Sequence, residues 1–116
     1  MDIQFEARCD VSVVVITGSV DSQTAEALLA EMISYVDAGH LQLVADLGAV
    51  EYTSSAGLRA LLSTVKATRR GGGDLRLTRP TPNVLKVLEL SGFTSIMQLY
   101  DEVDAAVASF GPSATV

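Results

Sequence analysis

The chain has 116 residues, 48% of them hydrophobic, with one cysteine and a net charge of −6. That length and apolar content suit one domain with its own core, with no need of a disulfide or metal staple, and the lone Cys9 fits a reducing compartment. The acidic balance disfavours nucleic acid and anionic lipid as partners and points instead to a protein with a basic or mixed face.

The N-terminus has no basic start, and the strongest apolar run, Val13 to Ile16, is far too short for a membrane span. The expectation is a cytoplasmic domain without a secretory signal. Ile3, Phe5 and Ala7 alternate with Gln4, Glu6 and Arg8, a period of two that predicts a strand with one wet face. Cys9-Asp10 turns the chain into a more buried strand over residues 11–17 that ends at Gly18, so the two form an antiparallel pair. The charged outer face of the first strand argues against extensive edge pairing and for a monomer or weak dimer.

From Asp21 the period changes to that of a helix, with Ala25, Leu28, Leu29, Met32, Ile33 and Val36 on one face. Asp21 or Ser22 is its N-cap and Gly39 its stop. Residues 41–47 suit a central strand. A second helix starts near Ser54 or Ser55, buries Leu58, Leu61, Leu62 and Val65, and ends at Gly71-Gly72-Gly73. Leu75 and Leu77 mark the next strand. Thr81-Pro82 opens a third helix with Val84, Val87 and Leu88 inward, and Gly92 follows its end. A strand over residues 96–100 comes next, then a helix capped by Asp101 with Val103, Ala106, Val107 and Phe110 at helical spacing. The fold class is α/β. It is one domain over residues 1–110, with a mixed, largely parallel sheet, an N-terminal antiparallel strand pair, about four helices and a disordered tail over 111–116.

Few residues suggest catalysis. His40, the one histidine, follows a helix end, where it caps carbonyls or lies in water, far from any candidate nucleophile. Gly71 to Gly73 follow a helix and precede a strand, the reverse of a phosphate-binding loop. Asp46 ends an apolar strand. It either bonds backbone amides of the next loop or serves function at the carboxyl end of the sheet. Thr53-Ser54-Ser55 places three hydroxyls at a helix start, where one cap suffices. Gly57, in the first helical turn, costs about 0.5–1 kcal/mol relative to alanine. Such a glycine beside serines leaves room for another molecule to approach. The expectation is a binding module without cofactor or metal, not an enzyme.

Asp46-Leu47-Gly48-Ala49-Val50-Glu51-Tyr52-Thr53-Ser54-Ser55-Ala56-Gly57-Leu58 resembles the signature of STAS domains in bacterial anti-sigma factor antagonists. Gly18-Ser19-Val20-Asp21 and Leu90-Ser91-Gly92-Phe93 are similar to two further landmarks of that family, in the same order. The resemblance implies an antagonist that binds an anti-sigma factor, itself a serine kinase of the histidine-kinase-like ATPase fold. The kinase phosphorylates Ser55 and so releases itself, and a PP2C-type serine phosphatase reverses the modification. Gly18, Asp21, Asp46, Thr53, Ser54, Ser55, Ala56, Gly57 and Leu58 would form the docking surface. The family's usual aspartate before the target serine is replaced by Ser54, which leaves Ser54 and Thr53 as alternative acceptors. A STAS module in transport, stress signalling or secretion is the alternative role.

Overall fold

The computed structural model describes residues 1–111, so all but the first residue of the expected tail lies outside the described residues. Strands β1 (Asp2–Arg8) and β2 (Val11–Val20) form the expected hairpin, with Arg8 opposite Val11 and Cys9 turning the chain at φ 58°. Helix α1 (Ser22–Asp37) follows, then β3 (Gln42–Thr53), α2 (Ser55–Arg70), β4 (Asp74–Thr78) and α3 (Pro82–Leu90). A short 3-10 turn over Phe93–Ser95 leads to β5 (Leu99–Tyr100) and α4 (Val103–Ala108). The strands lie in chain order, β1-β2-β3-β4-β5, antiparallel between β1 and β2 and parallel elsewhere.

The sheet is a layer between unequal covers. Val14, Ile16, Leu43, Ala45, Leu75 and Leu77 face one way and bury against Ala25, Leu28 and Met32 of α1, Leu58, Leu61 and Val65 of α2, and Val84 and Leu88 of α3. These are the inward stripes that the helical period predicts. On the other face Val11, Val13 and Val44 meet Ala106 of α4, with Val103, Val107 and Phe110 around it. Side chains alternate along a strand, so consecutive β3 residues serve different covers.

Four boundaries differ from expectation. Strand β2 does not end at Gly18 but continues to Val20, paired with β3. Strand β3 does not stop at Leu47 but runs on to Thr53, because β2 continues beside it through Thr17–Val20 and keeps it extended. The last strand shrinks from residues 96–100 to Leu99–Tyr100, since Ile96 closes the 3-10 turn and β4 offers only Leu77 and Thr78 as partners. Glu102, not Asp101, occupies the cap position of α4, with no side-chain cap bond, and Phe110 lies beyond the helix with its ring under the Arg76 guanidinium.

Candidate functional site

The parallel register sets Ser19 opposite Tyr52 and Val20 opposite Thr53 at the carboxyl ends of β2 and β3. The Ser54 N–H donates to the Val20 carbonyl at 2.8 Å, which ties the start of α2 to the end of β2. Gly18 to Asp21 and Thr53 to Ser55 are therefore neighbours. Gly18 sits at φ 96°, a conformation that glycine enters without strain, where the β2–β3 register shifts and β3 carries the extra residue, Glu51.

Asp21 is the N-cap of α1. Its Oδ1 accepts from the N–H groups of Gln23 at 2.9 Å and Thr24 at 2.8 Å. The Asp21 N–H in turn donates to Thr24 Oγ1 at 2.8 Å, which completes a capping box. The Thr24 amide first, then the Thr24 hydroxyl, holds the Asp21 carboxyl below the usual aspartate range, so an exposed negative charge is held in place there.

The three adjacent hydroxyls have separate fates. Thr53 is buried, and its hydroxyl donates to the Ser54 carbonyl at 3.2 Å. Ser54 is the N-cap of α2, its Oγ accepting from the Gly57 N–H at 3.2 Å. Aspartate would cap equally well, so the departure from the family pattern keeps the cap. Ser55 is the first helical residue, exposed, and its hydroxyl bonds to no other described residue.

Gly57 corrects an expectation. It leaves no room for another molecule, because it is buried. A Cβ there would strike Thr53 Oγ1 and come within 2.9 Å of Val20 Cγ1. The glycine lets α2 sit down on the ends of β2 and β3. Leu58 is likewise core and Ala56 half-buried. Of the proposed docking residues Asp21 and Ser55 are exposed, Gly18, Ser54 and Ala56 partly so, whereas Thr53, Gly57 and Leu58 shape the surface from behind. Tyr52, not assigned to the site from sequence, is 54% exposed beside them.

Asp46 stands apart from this group. It is buried and lies on the α4 side of the sheet, whereas α2 covers the other side. Its Oδ1 accepts from the Gly48 N–H at 3.0 Å, the local backbone bond considered from sequence. It also holds the Arg79 guanidinium in two bonds, Nε to Oδ1 at 3.0 Å and Nη2 to Oδ2 at 3.1 Å. Arg79 has φ 53°, and Asp46 raises the guanidinium further above its ordinary value, so it stays charged. A Cβ on Gly48 would lie 2.5 Å from Arg79 Nη2, so this glycine is the seat of the guanidinium. Asp46 does not end its strand, as expected, but joins the middle of β3 to the residue that follows β4, and it presents no carboxylate beside Ser55.

The STAS domain family profile matches residues 2–106. The chain belongs to the STAS domain family. Within it, this STAS domain is similar to BtrV of Bordetella bronchiseptica, which carries the name of an anti-sigma factor antagonist. The two are 44% identical over 93 residues, 80% of each chain. An anti-sigma factor antagonist from Mycobacterium paratuberculosis superposes with TM-score 0.85 at 30% identity, covering 93% of this chain and 92% of that one. The antagonist SpoIIAA in its unphosphorylated form superposes with TM-score 0.81 at 21% identity over 97% and 99% of the two chains. SpoIIAA of Bacillus has also been solved phosphorylated, and that form matches with TM-score 0.70 over 90% and 96%.

In this STAS domain His40 and Ser55 flank opposite ends of β3. His40 is exposed and makes the packing contact that the sequence reading missed, its ring stacked on Tyr35 at 3.9 Å. Among the described residues no three His, Cys, Asp or Glu side chains gather to hold a metal, and no helix is long and apolar enough to cross a membrane.

Proposed function

We propose that this STAS domain is an anti-sigma factor antagonist that acts in the cytoplasm by binding rather than catalysis. Its partner is an anti-sigma factor that is also a serine kinase of the histidine-kinase-like ATPase fold. Phosphorylation of Ser55 ends the complex, and a PP2C-type phosphatase restores it. One observation carries the choice of serine: Thr53 and Ser54 spend their hydroxyls on the backbone, whereas Ser55 is exposed with no such bond. The relatives named as antagonists, and the existence of a phosphorylated SpoIIAA, support the same reading.

A phosphate adds about −1.5 to −2 charges. At the start of α2 the helix dipole tolerates them, by roughly 0.3–1 kcal/mol. An interface does not, since a buried charge without a partner costs about 3–5 kcal/mol. Every 1.4 kcal/mol is about tenfold in affinity, so the loss exceeds about a hundredfold. Intact mass and phosphopeptide mapping, on protein recovered with phosphatases inhibited, should place one phosphate on Ser55, removable by a PP2C phosphatase. Stoichiometric labelling of Ser55→Ala would move the acceptor to Ser54 or Thr53. A Ser55→Asp variant with full affinity for the kinase would remove the switch.

A further inference from the structure

Helix α2 carries four cations, Arg59, Lys66, Arg69 and Arg70, and no carboxylate, in a chain of net charge −6. At about 100° per residue, Ser55, Arg59, Lys66 and Arg70 fall within roughly 60° of one another on the helix wheel. All four are exposed. The stripe runs the length of the helix, about 22 Å at 1.5 Å per residue. Arg69 lies off it and is spoken for, donating to Asp74 at 2.9 Å and to the Ile96 carbonyl at 2.7 Å. Arg70 Nε reaches only the Lys66 carbonyl, at 3.4 Å. The Arg59 guanidinium and the Lys66 ammonium have no hydrogen-bond or ion-pair partner among the described residues.

We infer that this stripe is the second half of the docking surface and takes an acidic face of the same kinase partner that reads Ser55. The inference rests on the proposed function and deepens it. Two observations on the molecule argue for it: the stripe is continuous with Ser55 along one helix face, and its charge is unneutralised within the domain. Net charge alone suggests a partner with a basic or mixed face. The polarity is local, and the partner's face along α2 is acidic. A polyanion such as duplex DNA or an anionic bilayer is disfavoured, because it meets the field of the whole acidic domain, whereas a protein patch meets the stripe alone. The position of Arg59 adds a consequence for the switch. It stands one turn after Ser55, the spacing at which an anion and an arginine pair along a helix. A phosphate on Ser55, even paired with Arg59, keeps about −0.5 to −1 charge without a partner in the interface, and it draws Arg59 away from the stripe.

The test is the affinity of the full chain for the purified serine kinase from its own cells that phosphorylates it, at about 50 mM and about 500 mM salt. Lys66→Glu with Arg70→Glu lies three to four turns from Ser55 and should weaken binding about tenfold or more at low salt, with the difference shrinking at high salt. Lys86→Glu, on α3 and off the stripe, should change it little. Should the reversal unfold the domain by its melting curve, Lys66→Gln with Arg70→Gln gives the same comparison with a smaller expected loss, about threefold. Loss of binding in Ser55→Asp together with full binding in both stripe variants would overturn the inference and leave the proposed switch standing. No binding by the unsubstituted chain removes both. Stripe-dependent binding to phosphatidylglycerol vesicles or to a 20-base-pair duplex, in place of the kinase, would show that the partner has been misassigned.

Discussion

Ser54 and Ser55 are adjacent serines with different duties. Ser54 Oγ accepts the Gly57 amide and closes the first turn of α2. Ser54→Ala should therefore cost about 1 kcal/mol in urea unfolding, and Ser54→Asp should recover it. Ser55→Ala should stay within about 0.5 kcal/mol of the parent, because no described contact uses its hydroxyl. Asp21 makes a separate prediction in pH. Its bonds from Thr24 and Gln23 lower its pKa in the folded state. The unfolded chain then binds the proton more readily, so the contribution is fully present above the ordinary aspartate value of about 4 and is lost as pH falls through the lower folded one. Acid titration of stability should show a shallower fall in Asp21→Asn than in the parent, and equal slopes would remove the cap from the acid response. The serine cluster was legible in the sequence because three adjacent hydroxyls exceed the need of one cap. The pairing of Asp46 with Arg79 was not, since the partners are 33 residues apart. They meet only when parallel register sets Asp46 opposite Thr78.

At the scale of elements, the helices were the readable part. A stripe such as Ala25, Leu28, Met32 and Val36 repeats at the helical period and is found buried on α1. The second half of β3 was hidden. Gly48 and Ala49 interrupt its alternation, and the extended backbone there is imposed by Thr17–Val20 of β2, information held in another segment. Gly57 was misread for a related reason. Local propensity marks it as a cost to the helix, and the compensating contact is with Thr53 and Val20 on the strands below. This decides a sign. Helix propensity alone has Gly57→Ala stabilise the protein by about 0.5–1 kcal/mol. The buried clash reverses that, and the expected outcome is a loss of about 1–3 kcal/mol in denaturant unfolding, as overpacking of a filled site gives. A gain in stability would mean that α2 can lift from the strand ends without loss.

At the scale of the whole molecule, the sheet separates two covers. Helices α1, α2 and α3 share one hydrophobic cluster, and α4 belongs to another on the far side, where Asp46 and Arg79 also lie. The candidate serine is on the first side, at a helix start that points into solvent. A phosphate added there meets the free amides and dipole of α2 and disturbs no packed side chain. The modification should therefore act by contact and charge and leave the fold in place. Amide chemical shifts of Ser55-phosphorylated and unmodified protein should differ mainly within residues 18–24 and 52–59, with the α4 side unchanged and stability altered by less than about 1 kcal/mol. The phosphoserine can be installed during synthesis, so the comparison does not depend on finding the kinase. Shifts spread through Val44, Ala106 and Val107 would mean that the phosphate repacks the domain across the sheet, and partner rejection would then follow from a change of shape rather than from charge at the interface.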